Sequence, residues 1–189
     1  DDNTFDLVVG HAVLHHIPDL ESAMREVMRV LKPGGRFVFA GEPTERGDLI
    51  ARTLSRGTWW VASRATQLPG LRTNWARPKA ELDESSRAAA LEAVVDLHTF
   101  DPAELERLFL RAGAVDVTTV TEELMASWFG WPVRTFEAAV KPGALGWHWA
   151  VFAFRTWQGL NTLDTAVMRR IVPKRFFYNV SITGVKPVA

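Results

Sequence analysis

The stretch Phe5-Asp6-Leu7-Val8-Val9-Gly10-His11-Ala12-Val13-Leu14-His15-His16-Ile17-Pro18-Asp19 decides how this chain is read. Phe5 to Val9 is a short apolar run that stops at Gly10. Without polar alternation it reads as a strand buried on both faces, as in a parallel sheet. Asp19 then offers a helix N-cap. Leu20, Ala23, Met24, Val27, Met28 and Leu31 follow at the spacing of one helical face. Lys32-Pro33-Gly34-Gly35 ends that helix and turns the chain, and Arg36 to Ala40 is a second buried-type strand. Strand, helix and strand together make a right-handed crossover unit.

Working outward, the pattern loosens from Pro43 to Leu97, which reads as an inserted lid of helices and loops. A clean signal returns at Asp101, where a cap, a proline at the first helical position and Glu104 at the third make a helix start. Leu105, Leu108, Phe109 and Ala112 give its apolar face and Gly113 its end. Val115 to Val120 is a strand candidate. A second irregular region runs from Glu122 to Phe176, after which Tyr178, Val180 and Ile182 alternate with polar residues as a last strand. All eight tryptophans lie in the two irregular regions. They fill the core of a helical subdomain or wall an apolar substrate pocket. The run Trp147 to Trp157 is apolar on every side of a helix and is expected to be buried in the lid or at a subunit interface.

The 189 residues suffice for one domain with a real core. Lys plus Arg and Asp plus Glu both number 22, so formal charge cancels, which argues against a non-specific nucleic-acid binder. There is no cysteine, which excludes disulfides and thiolate zinc sites and permits a cytoplasmic home. The longest apolar region, near Ala144 to Phe154, is interrupted by His148 and too short for a transmembrane segment.

The opening run, together with Glu26-Val27-Met28-Arg29-Val30-Leu31-Lys32-Pro33-Gly34-Gly35-Arg36-Phe37, resembles class I S-adenosylmethionine-dependent methyltransferases, most of all the small-molecule enzymes of the ubiquinone and menaquinone biosynthesis type. The likeness is sharp over residues 1–42, moderate over 98–120 and 177–189, and absent from the inserts at 43–97 and 121–176. It implies an α/β fold, a Rossmann-like sheet with strand order 3-2-1-4-5-7-6 whose last strand is antiparallel. This chain would then hold strands four to seven as a partial domain, lacking strands one to three, with Trp-rich helical insertions. The family's glycine-rich cofactor loop follows strand one, and no Gly-x-Gly occurs here.

The resemblance further implies S-adenosylmethionine as cofactor, with Gly10, His11 and Ala12 against its methionine part. Positions His11 and His15 would line the reaction chamber, and His15 is the candidate general base, a histidine being the usual side chain for that work near neutral pH. His16 is expected to pack structurally. His11 and His15, spaced i, i+4, have no third ligand of clear spacing, so no metal site is expected. The acceptor would be a small, apolar molecule of quinone, polyketide or lipid kind. The basic segment Met168-Arg169-Arg170 with Lys174-Arg175 either meets an acidic acceptor or an anionic membrane surface, or is a solvated face. A homo-oligomer is allowed. The alternative is a truncated, non-catalytic fragment or interaction module that binds no cofactor.

Overall fold

The opening stretch forms β1, Phe5–His11, in the computed structural model, which describes residues 1–188. Helix α1 (Leu20–Val30) and strand β2 (Leu31–Pro43) follow. Asp19 caps α1, its carboxylate accepting from the Ser22 amide at 2.9 Å. β1 and β2 run parallel in regular register from Leu7↔Arg36 to His11↔Ala40; residues 32–35, expected to turn the chain after α1, lie within β2, where the register shifts between Phe5↔Leu31 and Leu7↔Arg36. Next come helices α2 (Glu45–Ala65), α3 (Arg72–Trp75), α4 (Lys79–Val95) and α5 (Pro102–Arg111). Then follow β3 (Val115–Glu122), α6 (Met125–Ala139), α7 (Trp147–Leu163) and β4 (Asn179–Val185).

The fold is mixed α/β. The sheet order is β1-β2-β4-β3, with β4 antiparallel to both of its neighbours. That is the order expected of strands four, five, seven and six.

The chain divides into two compact units. The first comprises residues 1–47, 96–122 and 172–189 and holds the sheet. Its core is built where α1 and α5 lie on one face: Met24 and Met28 from α1, Leu105 and Phe109 from α5, Phe37 and Phe39 from β2, Val180 and Ile182 from β4. Phe37 and Phe109 stack at 4.3 Å between ring centroids. The start of α5 is as its sequence demands: Asp101 accepts from the amides of Ala103 and Glu104, and Pro102 needs no donor partner. The expected two-sided burial of β1 is not found. Phe5, Leu7 and Val9 are exposed, because among the described residues β1 is the sheet's edge and no helix covers its outer face.

The second unit, residues 48–95 and 123–171, is helical, as expected of the inserts. Its keystone is Asp164, which is 1% exposed. Its carboxylate accepts from the amides of Leu124, Met125 and Ala126 at 2.9–3.0 Å and so caps α6 from forty residues away. The burial expected for the Trp147 to Trp157 run is also corrected within this chain. No residue of α7 is buried, and Trp147 is 78% exposed. A helix apolar all round can cover only one side against a single neighbour. No helix among the described residues is long and apolar enough to cross a membrane.

Three outcomes follow for urea unfolding. Phe109→Ala empties the centre of the sheet unit and lowers stability by about 3–5 kcal/mol. Asp164→Ala strands three amide donors and lowers it by about 2–4 kcal/mol. Asp19 is a smaller, pH-dependent contributor. Hydrogen bonds from Ser22 hold its carboxyl below the ordinary 3.8, so its support is complete at neutral pH and is lost as pH falls through the lowered value. Asp19→Ala therefore destabilises at pH 7 and makes no difference in strong acid.

Candidate functional site

The carboxyl end of β1 is shaped by packing before any ligand is considered. A Cβ on Gly10 would lie 2.4 Å from Phe39 Cδ1 and 2.8 Å from Val13 Cγ1, so the core itself demands glycine there. Ala12 sits at φ +49°, in the left-handed region that costs a non-glycine residue about 1 kcal/mol or more. Its amide donates to Ala40 O at 2.8 Å. Backbone groups alternate along a strand, so Gly10 turns its own toward β2 as Ala12 does, and His11 turns its own to the sheet's outer edge.

Beyond Ala12 the chain folds around one side chain, Glu42, which is fully buried. Its Oε1 accepts from the amides of Val13 (2.9 Å) and Leu14 (3.0 Å). Its Oε2 accepts from the amide of His15 (3.2 Å) and from His15 Nδ1 (2.7 Å). Four donors thus converge on one carboxylate, three of them the amides that open a 3₁₀ turn at Leu14–His16 and that no helical carbonyl can satisfy.

Glu42 reaches this position through a register shift. Phe37 and Phe39 face the core, and strict alternation would send residue 42 the other way. The pairing of β2 with β4 slips between Phe39 and Glu42, with Gly41 at φ +75°, and the slip turns Glu42 inward. Sequence reasoning passed over Glu42. The signal was Gly41-Glu42 at the end of an apolar strand.

His15 is buried, as a group tied to Glu42 must be. A carboxylate only accepts, so the 2.7 Å contact puts a proton on Nδ1 and turns Nε2 toward Asp96. His11 is exposed, its ring lying over Gly41, and does not meet His15. His16 is exposed rather than packed. Its ring centroid lies 3.9 Å from that of His15, and its Nδ1 is 3.5 Å from Asp96 Oδ1. The same Asp96 oxygen is 3.8 Å from His15 Nε2. Asp96 is held in place by its neighbours, the amides of Leu97 and His98 donating to His15 O at 2.8 and 3.2 Å. Sequence spacing gave no hint of Asp96, eighty residues further on.

A cavity of about 280 Å³ in the sheet unit is lined by Asp101, Glu106, Thr119 and Lys174 among others, and by none of Gly10, His11, Ala12 or His15.

The family described as Methyltransferase domain matches residues 1–39, which is β1, α1 and most of β2. The highly reducing polyketide synthase 2 of Gibberella zeae is 40% identical over 65 residues, 33% of this chain and 2% of that protein. The sterol 4-C-methyltransferase strm-1 of Caenorhabditis elegans is 47% identical over 38 residues, 20% of this chain and 11% of that protein. The chain therefore spans a small part of the curated relatives it matches. The phosphoethanolamine N-methyltransferase 2 of Haemonchus contortus, solved with S-adenosyl-L-methionine, aligns over 99% of this chain and 34% of its own, with a TM-score of 0.45 and 12% identity. A likeness that loose transfers no site.

Glu42→Ala leaves four donors without a partner, three of them buried, and should cost about 3 kcal/mol or more in urea unfolding, at about 1–3 kcal/mol for each stranded buried donor. Glu42→Asp, too short to reach both ends of the turn, should fall between that and the native protein.

Proposed function

We propose that this chain, a member of the class I S-adenosylmethionine-dependent methyltransferases, forms one wall of a site that methylates a small, apolar acceptor. The family uses S-adenosylmethionine. One observation carries the reading: the family-matched segment makes a parallel β1–α1–β2 unit whose strand ends open onto a turn fixed by Glu42. In open α/β sheets ligands bind outside the carboxyl ends of the strands, at the point where strand order reverses. In the family's strand order that point would fall at the outer edge of β1, the side to which His11 turns its backbone groups.

The residues present fit such a ligand in part. Gly10 fixes the strand end against Phe39. His11 offers backbone donor and acceptor groups and an exposed ring, and Ala12 redirects the chain so that it curls away. When bound, S-adenosylmethionine supplies a methyl group already activated on its sulfonium, so positioning the acceptor in line does most of the work. His15 is the base in this reading. Glu42 keeps Nδ1 protonated, and Nε2 takes the proton that the acceptor's nucleophile releases as it gains the methyl group.

The glycine-rich loop of the family is not in this sequence, so the chain as it stands is expected to bind S-adenosylmethionine weakly or not at all. Calorimetric titration tests this, and micromolar binding by residues 1–189 alone would contradict the one-wall reading. In a protein that joins this chain to a preceding strand and Gly-x-Gly loop, binding should be micromolar. There His11→Ala should weaken it about threefold to tenfold, the worth of one hydrogen bond, with no change in the urea midpoint.

A second reading, an interaction module without cofactor, is favoured by the exposed Phe5, Leu7 and Val9 on an edge strand. No binding by the joined protein would favour it.

A further inference from the structure

Three groups of metal-ligating type stand close together at the turn after β1: His15 Nε2, His16 Nδ1 and Asp96 Oδ1. All three lie within 4.8 Å of one another. The Asp96 oxygen stands 3.8 Å from one nitrogen and 3.5 Å from the other, too far for a good direct hydrogen bond. A cation with ligand bonds of about 2.0–2.1 Å in tetrahedral geometry needs its donors about 3.3 Å apart, so the two contacts of Asp96 close around an ion with shifts of about half an ångström or less, and the pair of ring nitrogens with a shift of at most about 1.5 Å.

Chemistry points the same way. With its proton on Nδ1, His15 presents a bare lone pair at Nε2 to a carboxylate oxygen. A cation between them, a metal ion or a second proton on the imidazole, makes that approach favourable. The Glu42–His15 contact is also the arrangement that metal-binding histidines use, a carboxylate on the far nitrogen that fixes tautomer and ring orientation and raises ligand basicity. Glu42 is fully buried and the Asp96 segment is pinned to the His15 carbonyl, so two of the three donors are held in place without an ion.

We propose that His15 Nε2, His16 Nδ1 and Asp96 Oδ1 form a binding site for a divalent transition-metal ion of the zinc class, with Glu42 as the residue that positions His15. Two imidazoles and one carboxylate suit zinc or cobalt, with the fourth position left to water, and disfavour calcium and magnesium, which take oxygen ligands. The ion occupies the nitrogen that acts as base in the methyl-transfer reading, so a loaded site cannot accept a proton there. Metal binding itself needs neither donor nor acceptor, and its test stands whatever becomes of that reading.

The test is titration of the untagged full chain with Co²⁺ alone, read by visible absorption, and competition by Zn²⁺. The expected result is one ion per chain with the strong absorption of a four-coordinate cobalt site, displaced by Zn²⁺. The absence of cysteine excludes thiolate bands, so the spectrum reports nitrogen and oxygen ligation directly. His16→Ala and Asp96→Asn, both at exposed or half-buried positions, should each weaken binding tenfold or more with unchanged thermal melting. Glu42→Gln should weaken it about tenfold to a hundredfold. His148→Ala, on α7, should leave it unchanged. No binding up to millimolar metal overturns the proposal. So does binding that His16→Ala and Asp96→Asn leave intact, because the ion then sits elsewhere.

Discussion

The buried carboxylate of Glu42 is the constraint on which the candidate site depends. It stands at the end of β2, yet its four hydrogen bonds all go to the segment after β1. Side by side, two parallel strands fix only their own register. The carboxylate adds what the ladder cannot supply, a defined path for the chain as it leaves the sheet. It holds Ala12 in a strained conformation, opens the 3₁₀ turn and sets the tautomer of His15. Burying a charge is expensive, and full use of its acceptor capacity is the condition under which it persists.

Consequences spread in two directions from that point. Toward the sheet, Gly10 is pressed against Phe39, Phe39 against Phe109, and Phe109 against Phe37, so the turn shares atoms with the core. Toward solvent, the ordered turn presents His15 Nε2 and His16 to Asp96. Rigid support on one side and chemistry-bearing groups on the other is the usual condition of a functional loop.

Much of the sheet unit was legible in the sequence, because the signals there are local. A cap at Asp19 and a 3.6-residue apolar face make α1. Asp101-Pro102 with Glu104 makes α5. Alternation at Val180 and Ile182 makes β4. The strand order came from the family resemblance, and pairing of β2 with β4 and of β4 with β3 matches it. Illegible were the interactions between residues far apart in the chain. Glu42 meets residues 13 to 15, Asp96 meets 15 and 16, and Asp164 caps a helix forty residues earlier. A lone carboxylate in a sequence looks like any solvated one. The helical character of the inserts was legible, but the exposure of α7 was not: it is apolar on every side, so its periodicity carries no phase, and Trp147 is exposed.

The most direct test of the central claim is native-state hydrogen exchange at the amides of Val13, Leu14 and His15. If Glu42 holds the turn, these three exchange slowly in the native protein and fast in Glu42→Gln, while amides of β2 stay protected in both. Exchange at solvent rates in the native protein would show that the carboxylate does not hold the turn, and the account would fail.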